Sequence, residues 1–229
     1  MPQRLPLFPL GSVLFPGLVL PLNVFEPRYR LLVQDLVGDL DAERLEDDDE
    51  VRGFGVVAIR SGHEVGVGNA HALHEVGCVA LLREVAETED GGYEIVTVGA
   101  TRFRVVGIDE SAGTPYLTAL VEPFGDDDED VEAPEVTVLA AAVAERFARY
   151  RDALGIGGAE APEDPAVLSY LVAAAMVLPL PDRQRLLEAE GTADRLRLER
   201  DLLRVETGLV QALGTVPATE LPGALPNPN

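Results

Sequence analysis

The hydrophobic pattern of this chain changes its period once, at a run of acidic residues, and that change sets the fold class. Before Asp126 the apolar residues lie in short runs rich in Val and Gly, several of them alternating as half-buried strands do. After it they recur every three or four positions, the spacing of amphipathic helices, in sequence dominated by Ala, Leu, Arg and Glu. The junction reads Asp126-Asp-Asp-Glu-Asp130, then Glu132 and Pro134. A block of like charges repels itself and stays solvated, which suits a linker. The pattern predicts an α+β chain with a β-rich subdomain over 1–125, an acidic linker over 126–135 and a helical bundle over 136–213. A Pro-rich tail over 214–229 is expected to be disordered.

In the first half, strands are expected at Gly53–Arg60, Val76–Ala86, Tyr93–Val98, Arg102–Val106 and Tyr116–Val121. Asp90-Gly91-Gly92 is turn sequence, suited to positive φ. Several short strands divided by turn signals point to an antiparallel barrel or a curled sheet. One helix interrupts them: Pro27 suits a first turn, and Tyr29, Leu32, Val33, Leu36 and Val37 follow at helical spacing. The acidic run Glu46–Glu50 reads as an exposed loop.

In the second half, Val136, Leu139, Val143, Phe147, Tyr150 and Leu154 mark a helix that Gly155 can end. Asp164-Pro165 is an N-cap followed by proline at the first helical position, and the helix it opens is expected to run to about Leu178. Asp182 is read as the cap of a short helix ending near Gly191, and Thr192 as the cap of a long one. On that last helix Leu196, Leu203 and Val210 lie seven apart, a stripe for packing against the other helices.

Composition excludes several functions. All 18 basic residues are Arg, so neither a P-loop nor a Ser–Lys dyad can be built. A net charge of −22 argues against a nucleic-acid surface and against anionic membranes. Prolines at 6, 9, 16 and 21 interrupt the apolar N-terminus, which therefore does not read as a signal peptide. The longest apolar run elsewhere, Leu171–Leu178, is too short to span a bilayer. With one cysteine, Cys78, no intrachain disulfide can form, and a cytoplasmic protein is expected.

Few residues suggest chemistry. His71-Ala-Leu-His74-Glu75 spaces its histidines by three, not four, in what looks like a loop entering a strand, so no metal site is expected. Cys78 falls inside an apolar strand pattern, where a buried, inert thiol is the ordinary outcome. A small peptidase or hydrolase using His74, Glu75 or Cys78 is the alternative reading. No cofactor and no catalytic residue are expected.

The unusual segment is the N-terminus, where proline punctuates apolar, strand-like sequence. Proline removes a backbone donor, so such strands belong at edges or bends. Leu5-Pro-Leu-Phe-Pro-Leu10, Val13-Leu-Phe-Pro-Gly17 and Leu20-Pro-Leu-Asn-Val-Phe-Glu-Pro-Arg-Tyr29 resemble the opening signature of the Lon protease N-terminal substrate-binding domain. The similarity continues in order through Gly53–Ala58, His74–Ala80, Asp90–Tyr93, Val98–Arg104, Arg183–Glu188 and Asp194–Leu203. The resemblance implies a PUA-like pseudo-barrel with one early helix, followed by a helical bundle. It implies a non-catalytic module that binds exposed apolar segments of client proteins, here without the ATPase and protease domains. Unfolded or peptide clients are the expected partners, with a separate ATP-dependent protease as a second partner. Glu26, Pro27, Arg28 and Tyr29 match the signature and are expected to fix the strand-to-helix corner. The candidate binding residues are Phe15, Leu18, Phe25, Met176 and Leu178, in a groove between barrel and helices. The oligomeric state is not set by the sequence.

Overall fold

A computed structural model describes residues 2–38, 52–62, 70–125, 133–157 and 161–213. The acidic runs at 46–50 and 126–130, His63 and the tail from 214 lie outside the described residues. The chain divides into two compact units, Met1–Gly125 and Asp126–Asn229.

The first unit contains β1 (Gln3–Leu10), β2 (Val19–Val24), α1 (Pro27–Val37), β3 (Gly53–Gly62), β4 (Ala70–Glu87), β5 (Tyr93–Ile108) and β6 (Thr118–Pro123). The strand order is β2-β5-β4-β3-β1-β6, and β5 also pairs with β6. Five strands thus close on themselves, with β2 added along β5. The sequence splits β5 into two strands, whereas the structure runs it unbroken through Gly99–Thr101. The reason lies in its partners. β4 follows nearly the whole of one side, while β2 takes Tyr93–Val98 and β6 takes Phe103–Ile108 on the other. The segment His71–His74, expected as a loop, belongs to β4, because β3 extends far enough to pair Ile59 with Leu73 and Ser61 with Ala72. β6 begins at Thr118, two residues later than the sequence suggests.

The prolines of β1 do not mark an edge. Gln3–Pro6 pairs antiparallel with β6, and Leu7–Leu10 pairs parallel with β3, so β1 closes the ring between two neighbours. Each half has a ladder on one side, and the missing donors of Pro6 and Pro9 are tolerated for that reason. Among the described residues the edge is β2, which there pairs with β5 alone.

β1 and β3 are apolar in both phases because both their faces are covered. One cluster holds Phe8, Val56, Phe54, Ile95 and Cys78 under Tyr29, Leu32 and Val33 of α1. The other holds Leu7, Val57, Phe103, Ala119 and Val121. Adjacent residues such as Leu7 and Phe8 therefore serve different cores. Gly77 is required where the second cluster is tightest. A Cβ there would lie 2.4 Å from the Val56 carbonyl oxygen and 2.5 Å from the Phe103 ring.

The second unit contains α2 (Pro134–Ala153), α3 (Pro165–Ala175), α4 (Leu180–Leu187) and α5 (Thr192–Leu213). Asp164 caps α3 as its sequence predicts, its Oδ1 accepting from Ala166 N at 2.8 Å and Val167 N at 3.1 Å. α3 stops at Ala175, short of Leu178, because Met176 turns to extended backbone with ψ 137. Pro179 then keeps its predecessor out of the helical region. The N-cap of α4 is Pro179, not Asp182, which sits in the first turn. Gly155, with φ 69, follows the end of α2. No helix among the described residues is long and apolar enough to cross a membrane.

Candidate functional site

Cys78, His74 and Glu75 differ in burial. Cys78 is fully buried on β4, and burial pushes its thiol up to about 12, outweighing the pull of Arg102. A thiol held there is un-ionised at neutral pH and out of reach, so it is no nucleophile. His74 is half-buried and Glu75 exposed, and no group of three metal-ligating side chains occurs among the described residues.

The signature residues build a corner. Glu26 ends the turn into α1, and Arg28 donates from Nε to its Oε2 at 3.1 Å. The Arg28 guanidinium lies over the Tyr29 ring at 4.5 Å, and that ring stacks on Phe8 at 4.1 Å between centroids. Tyr116 donates to Asp35 at 2.6 Å, and Arg52 donates to the Val37 carbonyl at the helix C-terminus. Burial, then the neighbouring Asp35, hold the Tyr116 hydroxyl protonated up to about 12, which keeps it a donor. These contacts hold α1 on the sheet and so fix the direction in which β2 leaves it.

Beside that corner the sheet opens to solvent. Along β2 the side chains alternate: Leu20, Leu22 and Val24 turn toward the α1 core, while Val19, Pro21 and Asn23 are exposed. The alternation continues to Phe25, which is 56% exposed, against 64% for Val19. The register places Val19 beside Val98 and Leu81, Pro21 beside Val96 and Glu84, and Asn23 beside Glu94 and Ala86. Val96, Val98 and Leu81 are half-buried, and Glu84 and Glu94 are exposed. The result is an apolar strip with an acidic border along a free strand edge. Gly99 N donates to Leu18 O at 2.8 Å. Counting on by twos, Leu20, Leu22 and Val24 bond to β5, while the backbone groups of Val19, Pro21 and Asn23 face outward. Proline at 21 leaves that edge one donor short.

Of the residues singled out in the sequence, Phe25 faces solvent and Leu18 is half-buried against the α1 core. Phe15, Met176 and Leu178 are buried at 0%, 1% and 5% exposure, so in this structure they pack the interior and present no surface to a client. Phe15 is drawn in where the chain turns over Gly99, whose missing Cβ makes room for the Phe15 carbonyl. Met176 is held at the end of α3 by its N–H on the Val172 carbonyl. The reading missed Val19, Val96 and Val98. Their alternation is visible in the sequence, but which phase faces water depends on where α1 packs.

A family model described as the ATP-dependent protease La (LON) substrate-binding domain matches residues 4–205. Lon protease 2 of Myxococcus xanthus is 32% identical over 209 residues, which cover 89% of this chain and 24% of that protein. Lon protease of Anaeromyxobacter dehalogenans is 31% identical over 209 residues, covering 89% of this chain and 23% of its own length. The chain thus spans about a quarter of the length of these relatives. Among solved structures, the Lon N-terminal domain protein from Xanthomonas campestris aligns with a TM-score of 0.59 at 27% identity, over 88% of this chain and 98% of that one. The N-terminal domain of the Mycobacterium avium complex Lon protease gives the same TM-score at 17% identity, a likeness of fold alone. The match runs from the strand that closes the ring well into the last helix, and by it the chain belongs to the family of Lon protease substrate-binding domains.

Proposed function

We propose that this chain is a polypeptide-recognition module that takes up extended apolar segments of client proteins along the outer face of β2, with no hydrolytic step of its own. The observation that carries the reading is the exposed apolar strip from Val19 to Phe25 beside a free strand edge. Apolar side chains laid on Val19, Val96 and Val98 leave water, and burial of this kind supplies roughly 25 cal/mol per Å². An added strand gains backbone hydrogen bonds at Val19 and Asn23 and loses one at Pro21. Glu84 and Glu94 border the strip, so a client carrying Arg or Lys between its apolar residues is favoured over an acidic one. The PUA-like description of the closed ring belongs to the same reading and is supported by the β5–β6 pairing. A separate ATP-dependent protease is the second partner it assigns, supported by relatives in which the matched part is about a quarter of a protease.

A fluorescent 15-residue peptide alternating Leu or Phe with Arg tests it by anisotropy against the same peptide with Glu for Arg. The Arg peptide is expected to bind in the micromolar range and the Glu peptide at least tenfold more weakly. Phe25→Asp, at an exposed site, is expected to weaken binding about tenfold with the circular dichroism spectrum unchanged. Equal binding by wild type and Phe25→Asp, or none at high micromolar peptide, would overturn the site.

A further inference from the structure

The core seam of α5 contains a residue that does not belong in a seam. Leu196, Leu203 and Val210 are buried and lie seven apart, and the position between the first two, three after Leu196 and four before Leu203, is Glu199. It is 0% exposed, and neither of its carboxylate oxygens meets a hydrogen-bond donor. One turn earlier Arg195 is also fully buried, but its guanidinium is committed elsewhere. Its Nε donates to Ser169 Oγ, a terminal nitrogen donates to Thr192 Oγ1 at 3.3 Å, and the group lies 3.7 Å above the Tyr170 ring. Arg195 therefore has hydroxyl and aromatic partners of its own, whereas both oxygens of Glu199 have none.

We propose that Glu199 is a buried proton-binding site that couples the packing of α5 to pH, with the carboxyl held as the neutral acid in the folded protein. A carboxylate without donors in an apolar seam carries the full cost of a desolvated charge, and taking up a proton removes that cost. Burial is the dominant influence and pushes this carboxyl well above the usual range, with the Arg195 charge pulling the other way. The titratable side chains buried or half-buried on the elements packed against α5 are Arg146, Tyr150 and Arg151 on α2, Tyr170 on α3, and Arg183 with Asp182 on α4. On α5 itself they are Arg195, Arg197, Arg200 and Glu206. Of these, Arg195 is the one whose charge acts on Glu199. Glu206 responds to burial and to Asp182 and is raised in the same direction, and Tyr150 is raised by burial with a smaller push from Glu206.

The sign follows from linkage. Below the ordinary glutamate value both folded and unfolded chains hold the proton, and Glu199 costs nothing. As pH rises, the unfolded chain ionises freely while the folded chain must keep the proton or bury a charge. Stability of the helical unit is therefore lost on the alkaline side, by up to a factor of ten in the folding equilibrium per pH unit until the folded group itself ionises.

Hydrogen exchange of the full chain, read by mass spectrometry on α5 and α2 peptides between pH 5 and 8.5 and corrected for intrinsic rates, tests this. Wild-type protection in α5 is expected to fall with pH by several-fold per unit, β4 and β5 serving as the internal reference. Glu199→Gln keeps the shape and removes the ionisation, so it should remove most of the slope, leaving the part due to Glu206, and raise protection at pH 8. Asp201→Asn, an exposed neutralisation on the same helix, should leave the slope intact. If Glu199→Gln keeps the wild-type slope, the proposal is overturned. If that variant fails to fold, the carboxyl 13C titration of Glu199 in the wild type decides instead: a midpoint above 4.5 supports the site, and an ordinary or lower one overturns it.

Discussion

In the β-rich unit the buried side chains are mainly apolar ones, with Thr97, Arg102 and Thr118 the buried polar ones among the described residues. In the helical unit Ser169, Gln184, Thr192, Arg195 and Glu199 are all buried beside the leucines. The carboxylates respond accordingly. Asp90 is exposed on the β unit and Asp109 is largely covered beside Arg4, and hydrogen bonds, from Thr88 and Ser111 first, lower both below the usual carboxylate range. Their stabilisation is present above the unfolded-state value and lost as pH falls through the folded one. Glu199 and Glu206 are raised by burial, so the helical unit loses stability in the opposite direction. In the sheet the buried Thr97 meets a strand carbonyl, donating to Leu20 O at 2.9 Å. A helix seam can admit polar groups where another helix supplies hydroxyls.

The contrast can be broken most severely in the β unit. Phe103→Ala removes the ring that fills the space over Gly55 and Gly77, and is expected to cost about 3–5 kcal/mol. Chemical denaturation followed by exchange in β4 and β5 would measure it, and exchange in α5 should stay as in the wild type. A loss shared equally by both units would mean that their stabilities are not separate.

Arg195→Met comes next, at about 2 kcal/mol, because Ser169 and Thr192 lose a buried donor and Tyr170 loses the cation over its ring. A double substitution with Glu199→Leu should depart from the sum of the single effects at high pH, because the Arg195 charge pulls against the burial of Glu199. Strictly additive effects in the double-mutant cycle would show that the two side chains are uncoupled. The smallest effect is at the α3 cap. Asp164→Ala gives up two accepted hydrogen bonds and should cost about 1 kcal/mol, read as a small fall in the thermal midpoint and faster exchange at Ala166 and Val167.

The legible parts of the molecule were those written in local chemistry. The corner from Glu26 to Tyr29 and the cap at Asp164 depend on backbone preferences of a few neighbouring residues, and the structure keeps them. β5 was cut in two because Gly99–Thr101 breaks the apolar run, and nothing nearby says that β4 will carry the strand across. Phe15, Met176 and Leu178 resemble surface anchors near prolines until the fold buries them. Val19 carries little signal because Asn23 is the one polar residue in its phase of β2.

Glu199 marks the same boundary from the other side. The heptad spacing of Leu196, Leu203 and Val210 was plain, but a glutamate on a helix is ordinarily a solvated residue. By itself the sequence determined most of the strands and helices, though not their ends, and it specified the corner that begins α1, because those follow from side-chain periodicity and backbone preference. Tertiary structure alone decided which of two apolar phases meets water along β2. It also decided that a carboxyl one turn beyond Arg195 lies inside the seam. Both outcomes depend on what a distant element packs against, and burial is a property of neighbours.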